Sequence, residues 1–414
     1  MSLKSINSNF FQLMRKINRE NIINGLILVF AFFPITPNSL KGLPVILLSA
    51  GAFFLFNKRE INWKWLLINS SLFLVYVISI LYTNDHSVAF KELETSLSIV
   101  AIPIIFFALL PHNKFSNRQQ QLFVKIFIGS TTFFSIYSVL YINIKNPSLD
   151  YLWSIDSYRK MILEIPLIGQ HPIYASIFLA VAILFFVFLF KHHLFKSVEE
   201  KLFFFTLSFI NLVFLIFLSS KGTILALFVV VFFFFIFQKT KRYQPALLLI
   251  SLILSLFLLF NYNPRMNELI NTQTYGEFNP TLSTSVRLGI YDCSWDVIKK
   301  QLLAGYGVGD AQRELNLCYA NKSDILLMHR FNSHNQYLDI TIKTGLIGLV
   351  IFLGFLITNF SNAIKKKNQL LIMILALYCI LFLVENVLSR QSGVILFFFL
   401  ICFFKNTDSI LNEK

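Results

Sequence analysis

Residues 331–356 read FNSHNQYLDITIKTGLIGLVIFLGFL. The stretch opens on Ser333, His334, Asn335 and Gln336 and closes as an apolar run, with Asp339 and Lys343 in between. It continues to about Phe360, long enough to cross a bilayer, for which about 20 apolar residues are needed. Charges a few residues inside such a helix are expensive, so they mark a constrained or functional place. Ser333 is the expected N-cap, which sets His334 and Asn335 in the first helical turn. Free N–H groups and the helix dipole favour an anion there. Gly345 follows His334 by eleven residues, close to three turns of 3.6, so a straight helix carries the glycine beneath the histidine on one face. Gly345 and Gly348 would then let a second helix approach and hold the histidine in place.

The rest of the chain is of the same kind. Of its 414 residues 56% are hydrophobic, with a mean hydropathy of +0.66. A soluble domain of this length could not bury that much apolar surface, so lipid is the expected solvent. Candidate spans run roughly 22–37, 41–56, 65–82, 95–110, 122–142, 171–190, 202–220, 222–237, 245–261, 337–360, 369–388 and 392–404. The expected fold is therefore an all-α polytopic membrane protein of about twelve transmembrane helices. It divides into residues 1–261 with about nine spans, a large and partly helical loop at 262–336, and residues 337–414 with about three spans. The basic N-terminal segment is followed by no small-residue cleavage site and reads as the lead-in to a first span, not a removed signal. The 48 phenylalanines read as lipid-facing filler.

The net charge of +15 is informative through its placement. Seven alternate segments, among them NKREINWK, KHHLFKSVEEK, QKTKRYQ and SNAIKKKNQ, hold 20 of the 36 Lys and Arg residues. Positive loops stay cytoplasmic, so both termini are expected inside. Residues 143–170, the turn at 218–223 and the long loop then lie on the far side, and nucleic acid is not an expected partner. Within the loop, TLSTSVRLGIYDCSWDVIKKQLLAGYGVGD (281–310) has a Ser/Thr start, apolar residues Ile290, Trp295, Ile298 and Leu302 at helical spacing, and a glycine-rich stop. Cys293 and Cys318 share this loop, and a disulfide between them is open if it faces an oxidising compartment. Cys379 and Cys402 read as inert packing. No CxxC or HExxH spacing supports a metal site.

Under this topology the unusual polar residues gather on the far side: His171, Lys221, Arg287, His334, Glu385 and Arg390. Each has a structural reading too. Lys221 can snorkel to the interface, His171 can start a helix, Glu385 and Arg390 can pair with each other, and Arg287 can be a solvated surface residue. Their convergence at one depth, from separate parts of the chain, argues for a site.

His334-Asn335, nine residues, Gly345, two residues and Gly348 resemble the signature of the bacterial O-antigen ligase and O-antigen polymerase superfamily. RLGIYDCSWDVIKKQLLAGYGVGD (287–310) resembles the family's loop stretch, and the resemblance runs over roughly 160–414. It implies a metal-independent glycosyltransferase without a cofactor, in the bacterial inner membrane. The donor would be a glycan on undecaprenyl diphosphate, taken at the periplasmic face. The acceptor hydroxyl belongs to the lipid A–core in ligases, to another lipid-linked repeat unit in polymerases, and to proteins in further relatives. On this sequence the resemblance makes His334 and Arg287 catalytic, with Arg287 on the diphosphate. Lys221 stands where the family often has Arg, which keeps the charge and loses the bidentate fork. His171, Asn335, Glu385 and Arg390 are carried as substrate-binding, and Gly345 and Gly348 as helix packing. Ligase is favoured over polymerase because the His-Asn and Gly-x-x-Gly spacing is complete. A polyprenyl-linked sugar transporter is the rival of a different class, and it predicts charges spread through the bilayer instead of at one face.

Overall fold

The computed structural model describes residues 19–54, 61–110, 115–145, 155–237 and 260–406. Within them the chain is all helical, a polytopic membrane protein. Among the described residues six helices are long and apolar enough to cross a membrane: Trp63–Tyr82, His86–Leu109, Asn117–Lys145, Pro172–Lys191, Val198–Leu218 and Gln336–Lys365. Five shorter apolar helices join them: Asn21–Ile35, Asn38–Phe54, Lys221–Ile236, Gln369–Leu381 and Gln391–Lys405. These eleven fall on eleven of the expected spans. Of the remaining one, 245–261, only Phe260 and Asn261 are described, and the basic segments 1–18, 238–242 and 407–414 also lie outside the described residues.

Polar contacts sort the connections into two ends. At one, Asn38 Nδ2 donates to Gly169 O at 2.7 Å, Tyr82 OH to Ala304 O at 2.7 Å and Tyr174 OH to Val387 O at 3.2 Å. At the other, Lys125 meets Glu200 at 2.8 Å, His192 meets Gln369 at 2.9 Å and Asn368 Nδ2 donates to Phe404 O at 2.8 Å. The alternation read from charge is thus matched in space, and the long loop sits at the first of these ends.

That loop is folded. Ile290, Cys293, Val297 and Ile298 of the Ser283–Lys300 helix pack on Ala311, Leu315, Tyr319 and Leu326, and on Leu338 and Ile342 of the neighbouring helix. A disulfide joins Cys293 to Cys318 and ties the Ser283–Lys300 and Ala311–Lys322 helices. The open question about this pair is thereby answered.

The opening stretch departs from the straight helix expected of it. Gly345 has φ 66° and ψ −167°, a conformation essentially restricted to glycine, and the helix breaks there. The two halves fold back on each other. Tyr337 and Phe352 are fifteen residues apart, about 22 Å in a straight helix, yet their rings lie 6.0 Å apart. The break would orphan backbone groups on both sides, and residues 302–307 satisfy them as a strap. Tyr306 N and Gly307 N donate to Ile342 O and Lys343 O at 2.9 and 2.8 Å, while Leu346 N and Ile347 N donate to Leu302 O and Leu303 O at 2.9 and 3.4 Å. A Cβ on Gly345 would stand 2.0 Å from Leu303 O, and one on Gly305 2.6 Å from Ile342 O. The expectation that Gly345 lies beneath His334 and seats a second helix is corrected: the glycine admits a strap of backbone. At Gly348 a Cβ would first meet Thr344, 1.8 Å from its Oγ1, and then Val75 of a neighbouring helix at 3.3 Å.

Asp339 and Lys343 are accounted for in the half-helix before the break. Lys343 Nζ lies 3.0 Å from Asp339 Oδ2 and 2.9 Å from Glu92 Oε2, and Gln336 Nε2 donates to Asp339 at 3.3 Å. The charges are buried but mutually paired, the condition under which burial is tolerated.

Candidate functional site

Three of the expected residues are in direct contact. Glu385 lies in the connection after Gln369–Leu381, buried, with one carboxylate oxygen on the Arg287 guanidinium and the other 3.1 Å from His334 Nδ1. A carboxylate only accepts, so Nδ1 carries a proton, and in the neutral ring that tautomer leaves the lone pair on Nε2. Arg287 gives only Nη2 to Glu385, and its Nε is buried with no hydrogen-bond partner. The guanidinium therefore keeps donors for an anion. The Glu385–Arg390 clamp is not formed: Glu385 turns to Arg287 and His334, and the exposed Arg390 side chain has no hydrogen bond or ion pair among the described residues.

The backbone that presents His334 differs from expectation. The N-cap of the helix is Asn335, whose Oδ1 accepts from Tyr337 N at 2.9 Å and Leu338 N at 3.1 Å. His334 precedes the helix in the left-handed region, at φ 45°. A non-glycine residue there carries strain of about 1–3 kcal/mol. Its neighbours hold it: His334 N donates to Asn332 Oδ1 at 3.1 Å, and Tyr291 OH donates to His334 O at 3.2 Å. Ser333, the expected cap, has its hydroxyl 3.1 Å from Asn386 Oδ1 and 2.9 Å from Asn335 O. The short amide of Asn335 reaches the first free N–H groups, and the turn at His334 carries Ser333 away from them. Asn335 Nδ2 also donates to Leu383 O at 3.0 Å, so both ends of the expected substrate-binding amide are occupied.

Burial raises the Tyr291 phenol above its usual range, outweighing the nearby Arg287. The hydroxyl stays protonated and keeps its grip on His334 O.

His171 caps Pro172–Lys191, its Nδ1 accepting from Ile173 N at 3.4 Å. That fixes the other tautomer, with Nε2 as the donor. His171 lies within electrostatic reach of Arg390, Glu385, Arg159 and His334, so it belongs to the same neighbourhood. Lys221 does not touch it. Its ammonium is buried against Glu268 Oε2 (2.7 Å), Ser283 Oγ (2.8 Å) and Thr284 Oγ1 (2.9 Å). All three donors are occupied, which removes the snorkelling reading. Lys221 instead anchors the first turn of the Ser283–Lys300 helix, one turn before Arg287.

Sequence reasoning passed over four participants. Tyr291 lies four residues from Arg287, on the same side of its helix, and that spacing could have found it. Gln336 accepts from Leu388 N at 2.7 Å and ties the His334 segment to the Glu385 connection. Tyr174 reaches the same connection at Val387. Arg159, whose Nη1 donates to Leu218 O, had only its position in a far-side loop as a signal.

The site is recessed. The helix before Glu385, Gln369–Leu381, and the helix after Arg390, Gln391–Lys405, are 13 and 15 residues long. At 1.5 Å per residue that is about 20–23 Å, short of the roughly 30 Å of a hydrocarbon core. They are level with their neighbours at the opposite end, through His192–Gln369 and Asn368–Phe404. The shortfall is therefore at the site. Among the described residues no three His, Cys, Asp or Glu side chains cluster as metal ligands would.

Residues 206–353 match the family model described as O-antigen ligase. The matched region includes Lys221, Arg287, His334, Asn335, Gly345 and Gly348, and stops before Glu385 and Arg390. Comparison with curated proteins finds no match.

Proposed function

We propose, from the premise that this membrane protein carries an O-antigen ligase domain and belongs to that superfamily, that it transfers a glycan from undecaprenyl diphosphate to an acceptor hydroxyl of the lipid A–core. Members of the family are glycosyltransferase-like enzymes. The observation carrying the proposal is the Arg287–Glu385–His334 contact in a recess at the end of the bundle bearing the long loop. The loop charge bias assigns that end to the periplasm and both termini to the cytoplasm of a bacterial inner membrane. The Cys293–Cys318 disulfide favours the same assignment, because disulfides persist in oxidising compartments.

In this reading the acceptor oxygen bonds to the anomeric carbon as the bond from that carbon to the diphosphate oxygen breaks. Negative charge accumulates on the departing lipid diphosphate. The unoccupied donors of Arg287 stabilise it without a metal, strongly in a site of low dielectric. The acceptor proton goes to His334 Nε2, and Glu385 holds the ring in the tautomer that can receive it. His171 Nε2–H and Arg390 serve as further donors to substrate. Lys221 acts through the Arg287 helix it anchors. The polyprenyl tail runs between the spans, in lipid.

Cells lacking the gene, complemented with wild type, His334→Ala or Arg287→Ala at matched membrane levels, test the proposal. The variants are expected to lose long glycan from lipid A–core while long lipid-linked chains accumulate. If only single repeat units remain, the reaction is polymerisation. If both variants behave as wild type, the site is wrong.

A further inference from the structure

The Ser283–Lys300 helix has three faces, and one of them is not accounted for among the described residues. Ile290, Cys293, Val297 and Ile298 form the buried face. Asp292, Asp296 and Lys299 form a charged face, joined to Lys322 by ion pairs that include Lys322–Asp296 at 3.0 Å and Lys299–Asp296 at 2.9 Å. Between this face and Arg287 lie Leu288 and Trp295, seven residues apart and so on one side of the helix. Leu302 and Leu303 continue the line into the strap, and these four side chains are 42–67% exposed. A soluble loop has no reason to line up large apolar residues beside its charged face, whereas a helix lying in a membrane interface needs that arrangement.

The stripe also runs into the lipid-facing surface of the bundle. Leu303 O accepts from Ile347 N, and Ile347 begins a row with Val350, Ile357 and Ile364, all exposed on a span-length helix. On the other flank, the strap residue Ala304 receives Tyr82 OH, next to the exposed Leu81. Tyr82 and Trp295 are residues of the kind that collect at the edge of the hydrocarbon.

We infer that the Ser283–Lys300 helix and the strap after it lie in the outer membrane interface, with Leu288, Trp295, Leu302 and Leu303 immersed in lipid and the Asp292–Asp296–Lys299 face in water. The occupant of the stripe is the bilayer itself. The helix that carries Arg287 then floats in the layer where a lipid holds its phosphates, while the Arg287 side chain turns inward to Glu385. The inference rests on the membrane topology and does not require the glycosyl-transfer reading.

The test uses the full chain reconstituted in bilayers, with the chemistry of transfer left out. Trp63→Phe, Trp65→Phe and Trp153→Phe together leave Trp295 as the sole tryptophan of the four. Its emission is expected to be strongly quenched by lipids brominated near the glycerol end of the acyl chain and protected from aqueous iodide. Should the triple variant fail to fold, Trp295→Phe in the otherwise native chain gives the same answer by difference: the emission lost should be the lipid-quenched part. Iodide quenching equal to that of a free tryptophan derivative would place the stripe in water and overturn the inference. Protection from both quenchers would mean that protein, a second copy or a partner, covers the stripe, which overturns it equally.

Discussion

Glu385 faces two groups at once, Arg287 and the Nδ1 of His334, and its replacement separates charge from position. Glu385→Gln keeps the shape and a hydrogen-bonding end but removes the negative charge that fixes the histidine tautomer. Transfer is expected to fall by on the order of 10²-fold, the scale of general-base assistance. Glu385→Asp, which restores the charge on a shorter arm, should recover part of it. The measurement is the rate of glycan transfer in membranes at matched protein levels. Equal loss in the two variants would reduce Glu385 to a packing role. Asn335 is the contrasting residue: a polar side chain at the mouth of the site whose amide is taken up by the backbone around it.

At the scale of elements, the break at Gly345 decides how the site is built. It turns one long helix into a short half-helix carrying His334 at its mouth and a membrane-crossing half, with the strap 302–307 stitched between them. Gly345→Ala introduces backbone strain of about 1–3 kcal/mol and sets a Cβ 2.0 Å from Leu303 O, so the strap must leave. Gly354→Ala is the control, since a Cβ there meets nothing within 4 Å. It should be neutral, or stabilise the helix by about 0.5–1 kcal/mol. Thermal unfolding in detergent is expected to show a large drop for the first variant and none for the second. Equal midpoints would mean that the strap tolerates the extra carbon.

Across the whole molecule, the long loop is fastened to the end of an early span by Asp310. The carboxylate accepts from Asn84 N at 2.5 Å, Asp85 N at 3.3 Å and Thr83 Oγ1 at 3.2 Å, and pairs with Arg313 at 3.0 Å. Burial alone would raise its pKa, but the Asn84 and Asp85 N–H groups, Arg313 and Thr83 outweigh it and hold the group below its usual value. A carboxylate depressed in the folded state contributes stability above its unfolded pKa and loses it as pH falls through the folded one. Protection of residues 300–310 from hydrogen exchange should therefore hold from neutral pH to about 5 and fade below the carboxylate range. Asp310→Asn should weaken that protection at neutral pH and flatten the fade, while an unchanged acid response would assign it to another group.

Composition and apolar run length were enough to find the eleven spans that the described residues hold, because a bilayer demands about 20 apolar residues per crossing. His334, Arg287 and Glu385 were legible for a related reason. Charged groups at span ends are rare, and their convergence on one side, from separate parts of the chain, marked them where Arg287 or Glu385 alone had a structural reading. Which of them meet was not legible. Glu385 had Arg390 five residues away and took Arg287 from nearly a hundred positions upstream. Lys221 closed on Glu268, Ser283 and Thr284, and Gly345 admitted backbone where a packed helix was expected. Those outcomes depend on where the strap and the short helices end in three dimensions, and spacing along a chain carries no information about contacts between distant segments.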